Sequence, residues 1–176
     1  MKFVEVNNKK YKIISLLGKG KGGYSYLASL GDSFVVIKQI HHEPCDYYKF
    51  GNKIEAELND YHRLVSIGIR MPKLIDVDIS KEILIKEYID GKTIFEMVKD
   101  NEDVSIYFDQ VQLMAKLAKS NGLNIDYYPT NFVVNNGLLY YIDYECNVFM
   151  EEWSLDSWGI KYWSKTPEFL KHIDRN

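Results

Sequence analysis

Asn124-Ile125-Asp126-Tyr127-Tyr128-Pro129-Thr130-Asn131, followed by Tyr140-Tyr141-Ile142-Asp143-Tyr144-Glu145, is the part of this chain with the most specific chemistry. Asp126 and Asn131 stand five apart in one loop and can present a carboxylate and an amide oxygen together. Asn135-Asn136-Gly137 is a turn signal between two short apolar runs, residues 131–134 and 138–142. The resulting hairpin returns Asp143 to the edge that carries Asn131. Such a trio can set a base beside a hydroxyl while two hard oxygen atoms hold magnesium. Taken singly, Asp and Asn in loops are ordinary turn formers.

Toward the N-terminus, residues 11–40 read as short apolar runs cut by glycine, at Gly18-Lys19-Gly20-Lys21-Gly22-Gly23 and at Gly31-Asp32. This spells a three-stranded antiparallel meander. Gly18-x-Gly20-x-x-Gly23 alone is a weak motif, shared with dinucleotide-binding folds. There, however, the glycines open a helix, whereas here Tyr24-Ser25-Tyr26-Leu27-Ala28 continues as a strand. A plain hairpin or a hairpin lid over phosphates fits better. Lys38 ends the apolar run Phe34-Val35-Val36-Ile37, either as a surface lysine or as one aimed beneath the glycine hairpin. A helical pattern follows over 48–67, with Ile54, Leu58, Tyr61 and Leu64 at three- and four-residue steps. Glu57, with Glu55 as the alternative, can face Lys38 as a solvated ion pair or as a phosphate-positioning device.

Residues 73–79 and 82–89 read as two further strands, giving a five-stranded sheet with one helix. Asp90-Gly91 punctuates the chain, and from there to Asn121 helix formers dominate, with Phe108, Val111, Met114, Ala115 and Ala118 at helical spacing. The expected class is α+β, with an N-terminal sheet lobe over residues 1–90 and a mainly helical remainder over 91–176. Gly91-Lys92-Thr93 has the tail of a Walker loop, but Lys86 stands where its first glycine must be.

Composition sets outer bounds. The 176 residues suit one domain, and 46% hydrophobic with 27% charged content is that of a folding chain. A net charge of −3 gives no general attraction to nucleic acid or to anionic lipid. Cys45 and Cys146 lack CxxC spacing, and the four histidines lack any ligand spacing, which argues against a disulfide framework or a transition-metal centre. No apolar run approaches the ~18 residues of a membrane span, and a cytoplasmic location is the expectation.

In order, then, the chain carries a glycine loop, Val-Ile-Lys, a helix glutamate, Glu87-Tyr88-Ile89, the Asp126-to-Asn131 loop and Asp143. This set resembles the protein kinase-like superfamily over residues 13–159. It is most similar to small atypical members: the kinase/ATPase of the threonylcarbamoyl-tRNA machinery, the RIO kinases, and the sugar and aminoglycoside phosphotransferases. Asp143-Tyr144-Glu145 looks more like theirs than like Asp-Phe-Gly. The resemblance implies a bilobal kinase-like fold and ATP with Mg2+. Gly18, Gly20 and Gly23 would cover the phosphates, Lys38 would contact them, and Glu57 would orient Lys38. The backbone of Glu87 through Ile89 would bond the adenine edge. Asp126 would be the catalytic base, and Asn131 and Asp143 would ligate the metal. Glu145 could add a carboxylate to the metal site or cap the next segment.

The departures from that pattern are as specific. Asn124-Ile125 replaces the usual His-Arg, which removes the arginine that reads a phosphorylated activation loop. Tyr128 stands where Ser/Thr kinases usually carry a lysine. Lys86 falls at the gatekeeper position, where it must reach solvent, pair with an acid or meet the nucleotide. Only the 33 residues of 144–176 follow Asp143, with no Ala-Pro-Glu, and Asp156-Ser157-Trp158-Gly159 either resembles the aspartate- and tryptophan-containing helix of kinases at a shortened spacing or is an aromatic core helix with Trp153, Tyr162 and Trp163. The implied function is a minimal Ser/Thr kinase-like phosphotransferase whose acceptor, a protein or a small molecule, the sequence does not name. The alternatives are a pseudokinase acting through a partner and a small-molecule kinase.

Overall fold

Asn7 and Asn8 both sit at positive φ, 47° and 65°, and join Phe3–Val6 (β1) to Lys9–Lys19 (β2) in a two-residue turn whose twist matches the flanking strands. The computed structural model describes residues 2–44 and 52–173. β2 pairs antiparallel with Gly23–Leu30 (β3), which pairs with Ser33–Ile40 (β4) across Gly31-Asp32. Leu74–Asp78 (β5) and Ile83–Glu87 (β6) complete the sheet, in the order β1-β2-β3-β4-β6-β5.

The sheet therefore has six strands rather than the expected five. The extra strand is β1, made by an Asn-Asn turn that lacks the glycine by which the other turns are recognised. Val6, Tyr11, Ala28, Val35, Ile37, Ile83 and Ile85 are buried together on one face. On the other face Ile40 and Leu84 pack against Ile54 of the helix Lys53–Ser66 (α1), with Leu58, Leu74 and Val77 around them. The sheet also curls. Asn7 Nδ2, in the β1–β2 turn, donates to Asp76 Oδ1 at 2.8 Å and to the Val77 carbonyl at 2.9 Å, both on the strand at the opposite edge.

α1 starts at Asn52, whose Oδ1 accepts the Glu55 N–H at 3.1 Å. The part of the expected helix before residue 52 lies outside the described residues. At its other end Gly68 takes φ 92°, and the Ile69 N–H reaches back to the Leu64 carbonyl.

Two compact units divide the chain: Met1–Leu58 with Pro72–Tyr88, and Asn59–Met71 with Ile89–Asn176. In the second, Thr93 caps Ile94–Lys99 (α2) through a reciprocal capping box with Glu96. Asn101, at φ 62°, ends that helix and separates it from Phe108–Ser120 (α3), which buries Val111, Met114 and Ala118. The expected helical stretch is thus two helices. Leu123–Ile125 (β7) pairs with Cys146–Val148 (β10), and Phe132–Asn135 (β8) with Leu138–Tyr141 (β9) through the left-handed Asn136-Gly137 turn. Neither β7 nor β10 was anticipated, each being three residues long.

The aromatic segment expected as a core helix folds instead as 3-10 turns, Glu151–Trp153 and Gly159–Tyr162. A Cβ on Gly159 would lie 2.4 Å from Tyr127 Cβ, so close packing on the loop sets its path. Pro167–Leu170 (α4) brings Phe169 into a core with Phe132, Tyr127, Tyr141, Tyr144 and Trp163, all fully buried. Among the described residues no helix is long and apolar enough to cross a membrane.

Candidate functional site

In the first unit, β4 delivers Lys38 and α1 delivers Glu57, and Lys38 Nζ lies 2.6 Å from Glu57 Oε1. The side chains are 14% and 9% exposed, so the ion pair is largely withdrawn from water. The helix phase that buries Ile54 carries Glu57 inward and leaves Glu55 exposed, which decides between the two glutamates. A lysine held this way has little rotamer freedom left to lose on meeting an anion.

The glycine hairpin joins β2 to β3, and β3 pairs with the strand that carries Lys38. A Cβ on Gly23 would fall 2.5 Å from the Gln39 carbonyl oxygen, so this glycine is required by strand packing. A Cβ on Gly22 would face Lys38 Nζ at 4.0 Å, while around Gly18 nothing lies within 4 Å. Packing therefore does not account for Gly18, and an approaching anion meets bare backbone there. His41, which sequence reasoning passed over, holds the hairpin. Its Nε2 donates to the Gly20 carbonyl at 2.8 Å, its Nδ1 accepts the Glu43 N–H at 3.3 Å, and its backbone N–H reaches Gly22 O at 3.2 Å. Lys53, itself buried, donates to the His41 carbonyl.

At the end of β6, Lys86 is 5% exposed and so does not reach solvent. The Glu87 N–H donates to the Lys73 carbonyl at 2.8 Å, and Glu87 Oε2 accepts the Lys73 N–H at 3.0 Å. Only the Glu87 carbonyl could then contribute to a base edge from this residue. Ile89, a buried residue, begins the next part of the second unit.

In the second unit the loop after β7 is tightly wound. Asp126 Oδ1 accepts the Tyr128 N–H at 3.1 Å, which fixes the orientation of the carboxylate. The Asp126 N–H donates to Tyr141 Oη at 3.2 Å, and Tyr141 Oη donates to the Glu145 carbonyl at 2.8 Å. Asn131 Nδ2 donates to the Asp126 carbonyl at 3.3 Å, and the Ile142 N–H donates to the Asn131 carbonyl at 2.9 Å. The β8–β9 register, Phe132 opposite Tyr141, thus sets Asp143 one residue from the bond to Asn131. Asp126, Asn131 and Asp143 are brought to one end of one hairpin.

Tyr141, also passed over in the sequence, lies fully buried beneath this group. Burial, and then the negative charges of Asp143, Asp126 and Glu145, hold its phenol well above the usual range. It stays protonated and can serve as the donor that ties Glu145 to the loop. The donor set fits a hard cation in character: a carboxylate on Asp143, and on Asn131 an amide whose nitrogen is engaged with the Asp126 carbonyl and whose Oδ1 is an acceptor. Two protein oxygens suit magnesium, which keeps several waters and takes phosphate oxygens. Among the described residues no group of three or more His, Cys, Asp or Glu could hold a metal by itself.

No family model matches the chain. Among curated proteins it is 27% identical over 146 residues to a protein of Methanocaldococcus jannaschii named "Probable bifunctional tRNA threonylcarbamoyladenosine biosynthesis protein". That match takes in 80% of this chain and 27% of the relative. It is 25% identical over 139 residues to a "Probable serine/threonine-protein kinase" of Clostridium acetobutylicum, covering 74% of this chain and 21% of that protein. The chain therefore spans about a quarter of the length of the curated relatives it matches. At these identities the two likenesses support a kinase-like relationship at the level of the family.

Proposed function

We propose that this chain is an ATP- and magnesium-dependent phosphotransferase of the bilobal kinase-like fold. It would act on a hydroxyl acceptor in the manner of a minimal Ser/Thr protein kinase. Residues 1–90 would carry the nucleotide-binding groups and residues 91–176 the catalytic loop and metal ligands. The observation that carries the reading is the 2.6 Å Lys38–Glu57 pair, largely buried and beside glycines whose openness packing does not explain. The two kinase-named relatives support it.

In this reading Lys38 binds the α- and β-phosphate oxygens, Glu57 holds Lys38 in place, and backbone amides around Gly18 and Gly20 approach the phosphates. The Glu87 carbonyl and the Ile89 amide take the adenine edge. Asp126, its carboxylate oriented by the Tyr128 N–H, accepts the proton of the acceptor hydroxyl. Asn131 and Asp143 hold magnesium, which when bound neutralises phosphate charge. Ile125 leaves no arginine beside the base, so activity is independent of activation-loop phosphorylation.

A second reading, a nucleotide-binding module without turnover, is favoured by one observation. Tyr128, at the position of the usual lysine, packs its ring against Tyr162, His172, Phe95 and Trp158 at centroid distances of 5.3 to 6.5 Å. A ring held in that cluster does not replace a cation at a phosphate.

The test is phosphate transfer from radiolabelled ATP by the purified chain, with cell lysate and generic peptides as acceptors, beside nucleotide binding read by thermal shift. Asp126→Asn is expected to spare binding and cut transfer on the order of a hundredfold. Asp143→Asn is expected to weaken Mg-dependent binding. Binding without transfer in any condition would select the second reading. No binding by wild type, with Lys38→Ala indistinguishable from it, would remove both.

A further inference from the structure

Ser25, on β3, stands between two residues already placed at the candidate site. It pairs with Lys38 of β4 on one side and with Gly18 of β2 on the other. Residues paired directly across strands share a face of the sheet, so the Ser25 side chain is on the face that carries the Lys38–Glu57 ion pair. Its neighbours along the strand, Tyr24 and Tyr26, turn to the opposite face, where their rings lie 6.4 Å apart. On the Ser25 face the next pair along is Leu27 with Val36, both half-buried, and beyond Lys38 the row ends at the fully buried Leu84. Gly18, Ser25 and Lys38 therefore form a polar row bordered by apolar residues.

Serine is an unexpected choice in the middle of that row. Valine or threonine would favour the strand more. Ser25 is half-buried, and among the described residues its hydroxyl makes no hydrogen bond. Such a hydroxyl has lost part of its water without gaining a partner, so an acceptor arriving at this face meets a donor that costs little to engage. What flanks it decides the charge of that acceptor. The Lys38 ammonium lies beneath the hairpin, 4.0 Å from where a Cβ on Gly22 would be, and the Gly18 backbone is open, with nothing within 4 Å of a Cβ there. A cation on one side, bare backbone on the other and a hydroxyl between them suit an anion rich in oxygen atoms. Strands lie about 4.8 Å apart, so the row runs about 10 Å from Gly18 to Lys38, longer than one phosphate can bridge and suited to a chain of them.

We propose that Ser25 is a phosphate ligand, its hydroxyl donating to an oxygen of a di- or triphosphate chain laid between the Lys38 ammonium and the open backbone at Gly18. This rests on the phosphate-binding role proposed above for Lys38 and adds to it a residue that acts on the phosphate chain and not on the base. Every group involved lies in the first unit.

The test is calorimetry of the full chain in magnesium buffer with ATP and with inorganic tripolyphosphate, orthophosphate serving as the single-phosphate control. Ser25→Thr and Ser25→Val have the same branched shape and differ only in hydroxyl against methyl. The Thr variant is expected to bind both ligands about as wild type does and the Val variant roughly tenfold more weakly, with equal melting temperatures when unliganded. Ser25→Ala, which adds no atoms, should show the same loss and keeps the test decisive if the branched variants fold poorly. Equal affinities in the Thr and Val variants, or orthophosphate bound as tightly as tripolyphosphate, would overturn the proposal and leave the Lys38 reading standing. Tripolyphosphate bound with the Thr–Val difference, but no ATP bound, would uphold Ser25 and remove the nucleotide reading. No binding of either ligand by wild type would remove both.

Discussion

Replacing Glu57 by Gln leaves the Lys38 ammonium, 14% exposed in the folded chain, without the carboxylate 2.6 Å away. Removing one partner of a buried pair costs about 3–5 kcal/mol, because the remaining charge has given up its hydration without compensation. Since Lys38 keeps some contact with water and has interactions besides the one with Glu57, the lower end applies, about 3 kcal/mol. For a chain of this length each kcal/mol moves the melting temperature by about 2–4 °C, so Glu57→Gln should lower it by about 6–12 °C. Lys38→Met should cost a similar amount. The double change to Met and Leu removes both charges and should recover most of the loss, as apolar replacements of buried pairs commonly do. Urea denaturation, without nucleotide, of wild type, Lys38→Met, Glu57→Leu and the double variant that combines them gives the coupling energy directly. If the two single losses simply add in the double variant, the pair is not a desolvated unit and the physical basis of the phosphate-positioning assignment fails.

Three further outcomes are expected. Gly23→Ala forces a Cβ to within 2.5 Å of the Gln39 carbonyl and should cost about 1–3 kcal/mol by thermal denaturation, whereas Gly18→Ala should leave stability unchanged and weaken only nucleotide binding. Tyr141→Phe removes the hydroxyl that accepts the Asp126 N–H and donates to the Glu145 carbonyl. It should cost about 1–3 kcal/mol in denaturant and reduce transfer more than ATP affinity. The Cys146 thiol is pushed up to about 12 by burial and by Asp60, so in a Cys45→Ser background a thiol reagent at pH 8 should label it only on unfolding. The sign of the linkage is that of a raised acid: the stabilisation is whole below the ordinary thiol value and is lost as pH climbs from there through about 12.

What the sequence made legible follows from what each residue does. Strands β2 to β4 were readable because Gly18–Gly23 and Gly31-Asp32 punctuate apolar runs, and the loop over 126–131 because Asp, Pro and Asn are turn-forming residues. β1 was not, since Asn7-Asn8 carries no glycine. The choice between Glu55 and Glu57 was not either, because helical spacing alone tolerates both until Ile54 is seen packed on Ile40 and Leu84. His41 and Tyr141 escaped for a different reason. They bond backbone atoms of Gly20, Gly22, Asp126 and Glu145, and a backbone partner leaves no trace in residue identity. The segment around Trp158 misled because aromatic spacing resembles a helix, while Gly159 on Tyr127 dictates tighter turns.

The side chain of Asn7, reaching from the β1–β2 turn to Asp76 and Val77, bears on how the chain behaves at high concentration. An open six-stranded sheet offers two rims of unpaired amides and carbonyls, each a template for a neighbouring molecule. Here one rim is clasped to the other. Lys81 Nζ donates to the Glu5 carbonyl at 2.7 Å, and the Asp76 irregularity breaks the flat run of β5. The clasp closes late in folding, because it joins residues about seventy positions apart after the local hairpins have formed. Until then the rims stay open to self-association, so an Asn7→Ala chain should refold in lower yield as concentration rises, even where its folded form remains stable.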